Sequence, residues 1–309
     1  MIHLLLLGPV TKDTIRKDGT TYKNVGGATY YQSAALTHLG ANVTVAATLA
    51  PEDRFLLDGF HPDTVIVPIW TEQTMEFENI YPDPQNPNLR TQRANIPCNP
   101  ILPKHLQTVN IHGFDAVYIL PLSPDDIPLE TVHYVASFRK PVFIGAQGYL
   151  RHLCEGKIVL YPWLDFQKFA PFANMLFVDD TEARCIMEAP DAELPDVTLR
   201  MASAGINEVI VTRGDRGALI VSDRRPYIIP AFAPDVITDP TGLGDTYMAA
   251  YTLQRLLGAE VTTAGEFAAT TATMKLEYKG AFQGNFAEVE KRRKMVDEVS
   301  YRISLHSKD

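Results

Sequence analysis

Cysteine is scarce in this chain: only Cys98, Cys154 and Cys185 occur among 309 residues, at wide spacing and with no C-x-x-C pair. That excludes a disulfide framework and a zinc knuckle and fits reduced thiols, so a cytoplasmic location is expected. Basic charge is also short, with 28 Lys and Arg against 37 Asp and Glu for a net charge of −9. Nucleic acid and anionic membrane surfaces are therefore poor partners, which leaves a small molecule or a protein. No apolar run approaches the roughly 20 residues that span a bilayer. The apolar stretch 2–7 follows no cationic leader, so no export signal is expected. The phosphate-loop pattern Gly-x-x-x-x-Gly-Lys-Ser/Thr is missing, and the eight histidines include no His-Glu-x-x-His pair. Internal repeats, low-complexity tracts and Ser/Gly linkers are absent too.

What remains is a composition for a large core, 46% hydrophobic and 21% charged. Residues 2–7 form a continuous apolar run ended by Gly8-Pro9, the pattern of a strand buried on both faces of a parallel sheet. A helix over 28–39 and a strand over 43–49 follow. The alternation returns as strands at 116–120 and 141–145 around a helix at 129–138. Further strands are expected at 175–178, 208–212 and 218–221, with helices at 181–188 and 197–204. From Gly244 onward the pattern is helical, near 244–257, 264–276 and 287–303. This rhythm predicts an α/β fold of three layers: a mostly parallel central sheet with helices on both faces.

One stretch departs from it. Met75, Phe77 and Tyr81 alternate at period two, residues 82–88 form a Pro/Asn-rich turn, and 89–94 complete a hairpin. Residues 20–23 can pair with this hairpin, giving a small β lid of three or four strands built from about 14–24 and 68–97 within a single domain of 1–309. An exposed edge on such a sheet invites pairing, so a homodimer through the lid is an expectation.

The most informative segment is Asp239-Pro240-Thr241-Gly242-Leu243-Gly244-Asp245, which runs directly into a buried helix. Its glycines leave bare main-chain N–H groups at a helix N-terminus, an arrangement suited to phosphate. Asp245 would repel such an anion, but makes sense as a base that orients an attacking hydroxyl; it is equally a plain N-cap after a Gly turn.

The heptapeptide resembles the Asp-Thr-Thr-Gly-Ala-Gly-Asp signature of the ribokinase-like (PfkB) carbohydrate kinases. Other segments resemble that family in the same order: Gly8 to Asp13, Gly26-Gly27 with Leu39-Gly40-Ala41, Asp179-Asp180-Thr181-Glu182, and Thr212-Arg213-Gly214-Asp215-Arg216-Gly217. The resemblance implies a ribokinase-like fold and a kinase that transfers phosphate from ATP to a hydroxyl of a sugar, an inositol-like polyol or a nucleoside. It implies Asp245 as base and the Gly242, Leu243 and Gly244 amides as the anion hole, with Asp13, Gly26, Gly27 and Tyr31 at the substrate. It further implies Asp179, Glu182, Thr212, Gly214, Gly217 and Thr241 at the nucleotide, Mg2+ held through water by Glu182, and a monovalent cation near Asp239 and Gly280-Ala281. Gln147 and Arg151 resemble a Gln-x-x-x-Arg pattern of inositol- and nucleoside-kinase-like members.

The residues by themselves leave alternatives open. Asp13 is also a solvated loop carboxylate, and Gly26-Gly27 a simple helix start. Asp179 with Glu182 is also a capping box, and Gly214 with Gly217 a hairpin turn. Asp179 stands where the family has Asn, and Tyr30-Tyr31 where it has smaller residues. A ligand-binding protein of weak catalysis on the same scaffold is the second expectation.

Overall fold

The computed structural model describes residues 1–17, 19–81 and 91–295. In chain order, β1 (His3–Pro9), β2 (Thr11–Lys17) and β3 (Thr20–Gly26) lead into α1 (Ala28–His38) and β4 (Asn42–Leu49). Strands β5 (Val65–Trp70), β6 (Met75–Tyr81), β7 (Thr91–Asn95) and β8 (Ala116–Ile119) precede α2 (Leu129–Ala136) and β9 (Val142–Gly145). The short α3 (Gln147–Leu150) opens the hairpin β10 (Arg151–Cys154) and β11 (Lys157–Leu160), followed by α4 (Phe166–Phe169) and β12 (Met175–Asp179). Helices α5 (Asp180–Ile186) and α6 (Leu194–Ala202) then precede β13 (Glu208–Thr212), β14 (Ala218–Ser222) and β15 (Arg225–Ile229). Finally α7 (Leu243–Leu256) and α8 (Val261–Leu276) pack together, and residues 286–295 are helical.

Nine strands form the central sheet in the order β15-β14-β13-β12-β9-β8-β1-β4-β5. All neighbours from β13 to β5 run parallel, and the pairs β13–β14 and β14–β15 are antiparallel. The apolar run that opens the chain explains the layering. Leu4 and Leu6 face a core with Leu36 of α1, Tyr251 of α7 and Phe267 of α8. Leu5 and Leu7 point the other way, toward Val132 of α2, Ile186 of α5 and Met201 of α6. All four leucines are fully buried, each worth about 1.5–3 kcal/mol relative to exposure. The expected three-layer α/β architecture is what the chain adopts.

The second sheet differs from the expectation. It has six strands, β10-β11-β7-β6-β2-β3, rather than three or four. Residues 20–23 do not pair with the 75–81 strand, because β2 lies between them, antiparallel to β3 and parallel to β6. Residues 68–70 belong to β5 of the central sheet, and the hairpin β10–β11 is an addition. The expected turn at 82–88 and the end of the 287–303 helix lie outside the described residues. Cys98, Cys154 and Cys185 are free thiols. Among the described residues no helix is long and apolar enough to cross a membrane.

Candidate active site

A cavity of about 400 Å3 opens at the carboxyl ends of the parallel strands, the usual place for ligands in an open α/β sheet. Leu120, Gly145, Val178 and Thr212 mark the ends of β8, β9, β12 and β13 in its wall. The second sheet contributes Thr11 and Asp13 from β2, and Phe77 and Asn79 from β6.

Asp13 is no solvated loop residue. It is 6% exposed, and Thr11 Oγ1 donates to its Oδ1 at 2.6 Å. Gly26 makes that packing possible, since a Cβ there would lie 2.4 Å from the Asp13 carboxyl carbon. Gly27 caps α1 at φ 100°, and Thr29 Oγ1 ties the helix start to the Pro9 carbonyl at 3.0 Å. Behind this anchor, α1 aims Tyr31 and Gln32 into the cavity.

The Asp239–Asp245 turn forms the wall next to α1. Asp239 Oδ1 accepts from the Thr241 N–H at 2.9 Å, and its Oδ2 accepts from the Gly280 N–H at 3.0 Å. Gly242 takes a left-handed conformation at φ 77° and caps α7, and no side chain caps that helix. The first-turn N–H groups of Leu243, Gly244 and Asp245 thus have no intrahelical acceptor and lie at the cavity wall. A Cβ at Gly244 would meet nothing within 4 Å, so the approach to those amides is open. Asp245 shares the same wall, and its carboxyl accepts a hydrogen bond from Gln32 Nε2 at 3.2 Å. Burial raises its pKa, while the Gln32 bond and the Arg151 charge oppose the rise. Tyr31 packs edge-on to Tyr30, and burial, with Asp13 and Asp239 nearby, holds its phenol well above the usual value.

A model of the pfkB family carbohydrate kinases matches residues 157–285. The whole fold superimposes on a pyrophosphate-dependent kinase in the ribokinase family complexed with a pyrophosphate analog and myo-inositol. There the TM-score is 0.77 at 22% identity, covering 91% of this chain and 97% of that one. Arabidopsis thaliana ribokinase complexed with ribose and ATP matches at TM-score 0.74 and 17% identity, over 95% of this chain and 99% of that one. The fold is ribokinase-like, and residues 157–285 resemble the PfkB family. Among curated proteins, the nucleoside kinase of Methanocaldococcus jannaschii is 29% identical over 107 residues, 35% of this chain. That match spans 34% of the relative's own length.

In this ribokinase-like frame, Asp179 and Glu182 line the cavity while forming a reciprocal cap of α5. The Glu182 N–H donates to Asp179 Oδ1 at 2.7 Å, and the Asp179 N–H donates to Glu182 Oε2 at 2.9 Å. Burial first, then the Asp179 charge, pushes Glu182 up to about 7. The folded protein thus keeps a proton that the unfolded chain releases near its ordinary 4.5, and stability falls as pH rises between those values. Glu182→Gln, which retains an acceptor for the cap, is expected to raise the Tm at about pH 8 and change it little at about pH 4, since each tenfold change in proton affinity is worth about 1.4 kcal/mol. Thermal unfolding at the two pH values checks this.

Gln147, Arg151, Thr212 and Thr241 also line the cavity. Gly214 and Gly217 do not. They sit in the turn between β13 and β14, where a Cβ on Gly217 would come 2.0 Å from the Ile229 carbonyl oxygen. Asp239 lies behind the turn rather than in the wall, with the Lys275 ammonium 3.5 Å from its Oδ2. Sequence reasoning missed Gln32, Asn79 and Lys275. A glutamine amid the small and aromatic residues of α1 was the available signal for the first.

Proposed function

We propose that the chain is a kinase that moves the terminal phosphoryl group of ATP to a hydroxyl of a sugar, an inositol-like polyol or a nucleoside. One observation carries this reading: the Asp245 carboxyl and the bare amides of residues 243–245 line one cavity together with Asp13, Asn79, Gln147 and Arg151. Anion-binding N–H groups beside a base are what an in-line displacement on phosphorus needs. The substrate oxygen forms a bond to the phosphorus, the bond to the bridging oxygen of the donor breaks, and the hydroxyl proton passes to Asp245. The amides stabilise charge on the transferring group, and Gln32 keeps the base aimed. Asp13, Asn79, Gln147 and Arg151 are the polar groups that would take vicinal hydroxyls. The sheet that carries β2 and β6 would act as the cover that keeps water out.

The donor set suits Mg2+. Asp179 and Glu182 are hard oxygen ligands in the wall. That is the pattern of an ion held by few carboxylates, by water and by phosphates, with Glu182 the residue that would hold it through water. Mg2+ bound there would offset the negative charge of the donor phosphates.

The names of the relatives support the substrate classes: a nucleoside kinase, a ribokinase with ribose and ATP, and a pyrophosphate-dependent kinase with myo-inositol. Assaying consumption of ATP and of pyrophosphate against sugars, inositols and nucleosides tests the proposal. Turnover of at least one acceptor is expected. Binding of acceptors with no turnover on either donor would overturn it in favour of a binding protein. The two edge strands of the second sheet, β3 and β10, are where a homodimer would form. Sedimentation velocity reads that directly.

A further inference from the structure

Lys275 is among the largest fully buried side chains of the protein, at 0% exposure. An ammonium is costly to bury without partners, so what it touches is informative. Its Nζ donates to the Asp239 main-chain oxygen at 2.7 Å and stands 3.5 Å from Asp239 Oδ2. The same Asp239 carboxylate holds the Thr241 N–H, two residues before the first amide of α7. Lys275 also lies in the last turn of α8, where the helix dipole favours a cation. The backbone of that helix end is tied to the same turn, for the Thr238 and Asp239 N–H groups both donate to the Leu276 carbonyl.

The charge balance of the site gives this contact its meaning. Four carboxyls, Asp13, Asp179, Glu182 and Asp245, line the cavity against a single guanidinium, Arg151. Asp239, behind the turn, would add a fifth negative charge next to the amides that must receive a polyanion. Lys275 neutralises it there, and its bond to the Asp239 carbonyl holds the start of the turn.

We propose that Lys275 is the positioning residue of the anion-binding turn: an internal cation that fills the place beside Asp239 which an inorganic monovalent cation could otherwise take. Its effect on turnover rests on the kinase reading above, while its effect on the turn does not.

Lys275→Met removes the charge and keeps the bulk. The expected results are a donor KM raised about tenfold or more, the scale of a lost hydrogen bond to a charged group, with a smaller change in acceptor KM. Potassium or methylammonium, compared with choline at equal ionic strength, should restore at least half of that loss, whereas the unmodified protein should respond to neither. A purely structural lysine would lower the Tm but leave donor KM unmoved well below it, and that result would overturn the proposal. So would activation of the unmodified protein by potassium.

The double variant Lys275→Met with Asp239→Asn guards against a misfolded single variant. Removing both charges should recover much of the lost stability, and failure to recover any would count against the pairing. Thermal unfolding of Lys275→Met in potassium against choline needs no turnover. A Tm raised by potassium in the variant alone supports the cation role even if no acceptor is ever phosphorylated, and an equal response in both proteins refutes it.

Discussion

Replacing Asp245 by Asn should lower kcat about a hundred- to ten-thousand-fold, the usual worth of a positioned base, while leaving the fold intact. The amide keeps an oxygen where Asp245 Oδ1 now accepts from Gln32 Nε2. The orientation of α1 against α7 should therefore persist, and the Tm should stay level or rise, since a carboxylate whose ionisation is opposed by burial has gone. The acid limb of the rate profile gives an independent reading. Burial raises the Asp245 pKa above its ordinary 3.8, so activity should fall off as pH drops through that raised value, at higher pH than a solvated aspartate would give. Steady-state rates across pH, with circular dichroism of both proteins, decide the matter. An Asn variant with most of its turnover would remove Asp245 from the mechanism.

The second large effect is expected at Gly242. Alanine there must hold φ near 77°, a left-handed conformation that costs about 1–2 kcal/mol for an L residue. Its Cβ would also lie 2.3 to 2.5 Å from the Tyr31 ring, which must move at a further cost of about 1–3 kcal/mol. Gly242→Ala should accordingly lower the Tm by several degrees and disturb the amides of α7 and the substrate side of the cavity together. Adding Tyr31→Ala should return the packing part of the stability loss and none of the backbone part. Denaturant unfolding of the two single variants and the double variant separates the two contributions.

Much of this site was legible before any coordinates, because backbone chemistry leaves marks in sequence. Gly242 and Gly244 ahead of a buried helix announce an open N-terminus, and the Leu4–Leu7 run announces a strand covered on both faces. Strand β2 was hidden for the opposite reason. Its inward residues Thr11 and Asp13 are polar because they face a cavity, so the alternation that marks a half-buried strand is missing. The hairpin β10–β11 was missed likewise: Leu153 and Val159 are exposed, and nothing in its short apolar runs marks it as part of the second sheet. Lys275 reads in sequence as an ordinary lysine at a helix end. Only the fold shows that it points inward, at the main-chain oxygen and the carboxylate of a residue 36 positions upstream.

The cavity takes its walls from Thr11 through Met248. On a ribosome, where amino-terminal segments emerge first, most of the chain must therefore be made before the site can exist. Until α7 arrives, the side of α1 that carries Gln32 waits without its partner. Messages cut short ahead of Gly242 should yield sticky products that chaperones and proteases clear, never a partly formed site.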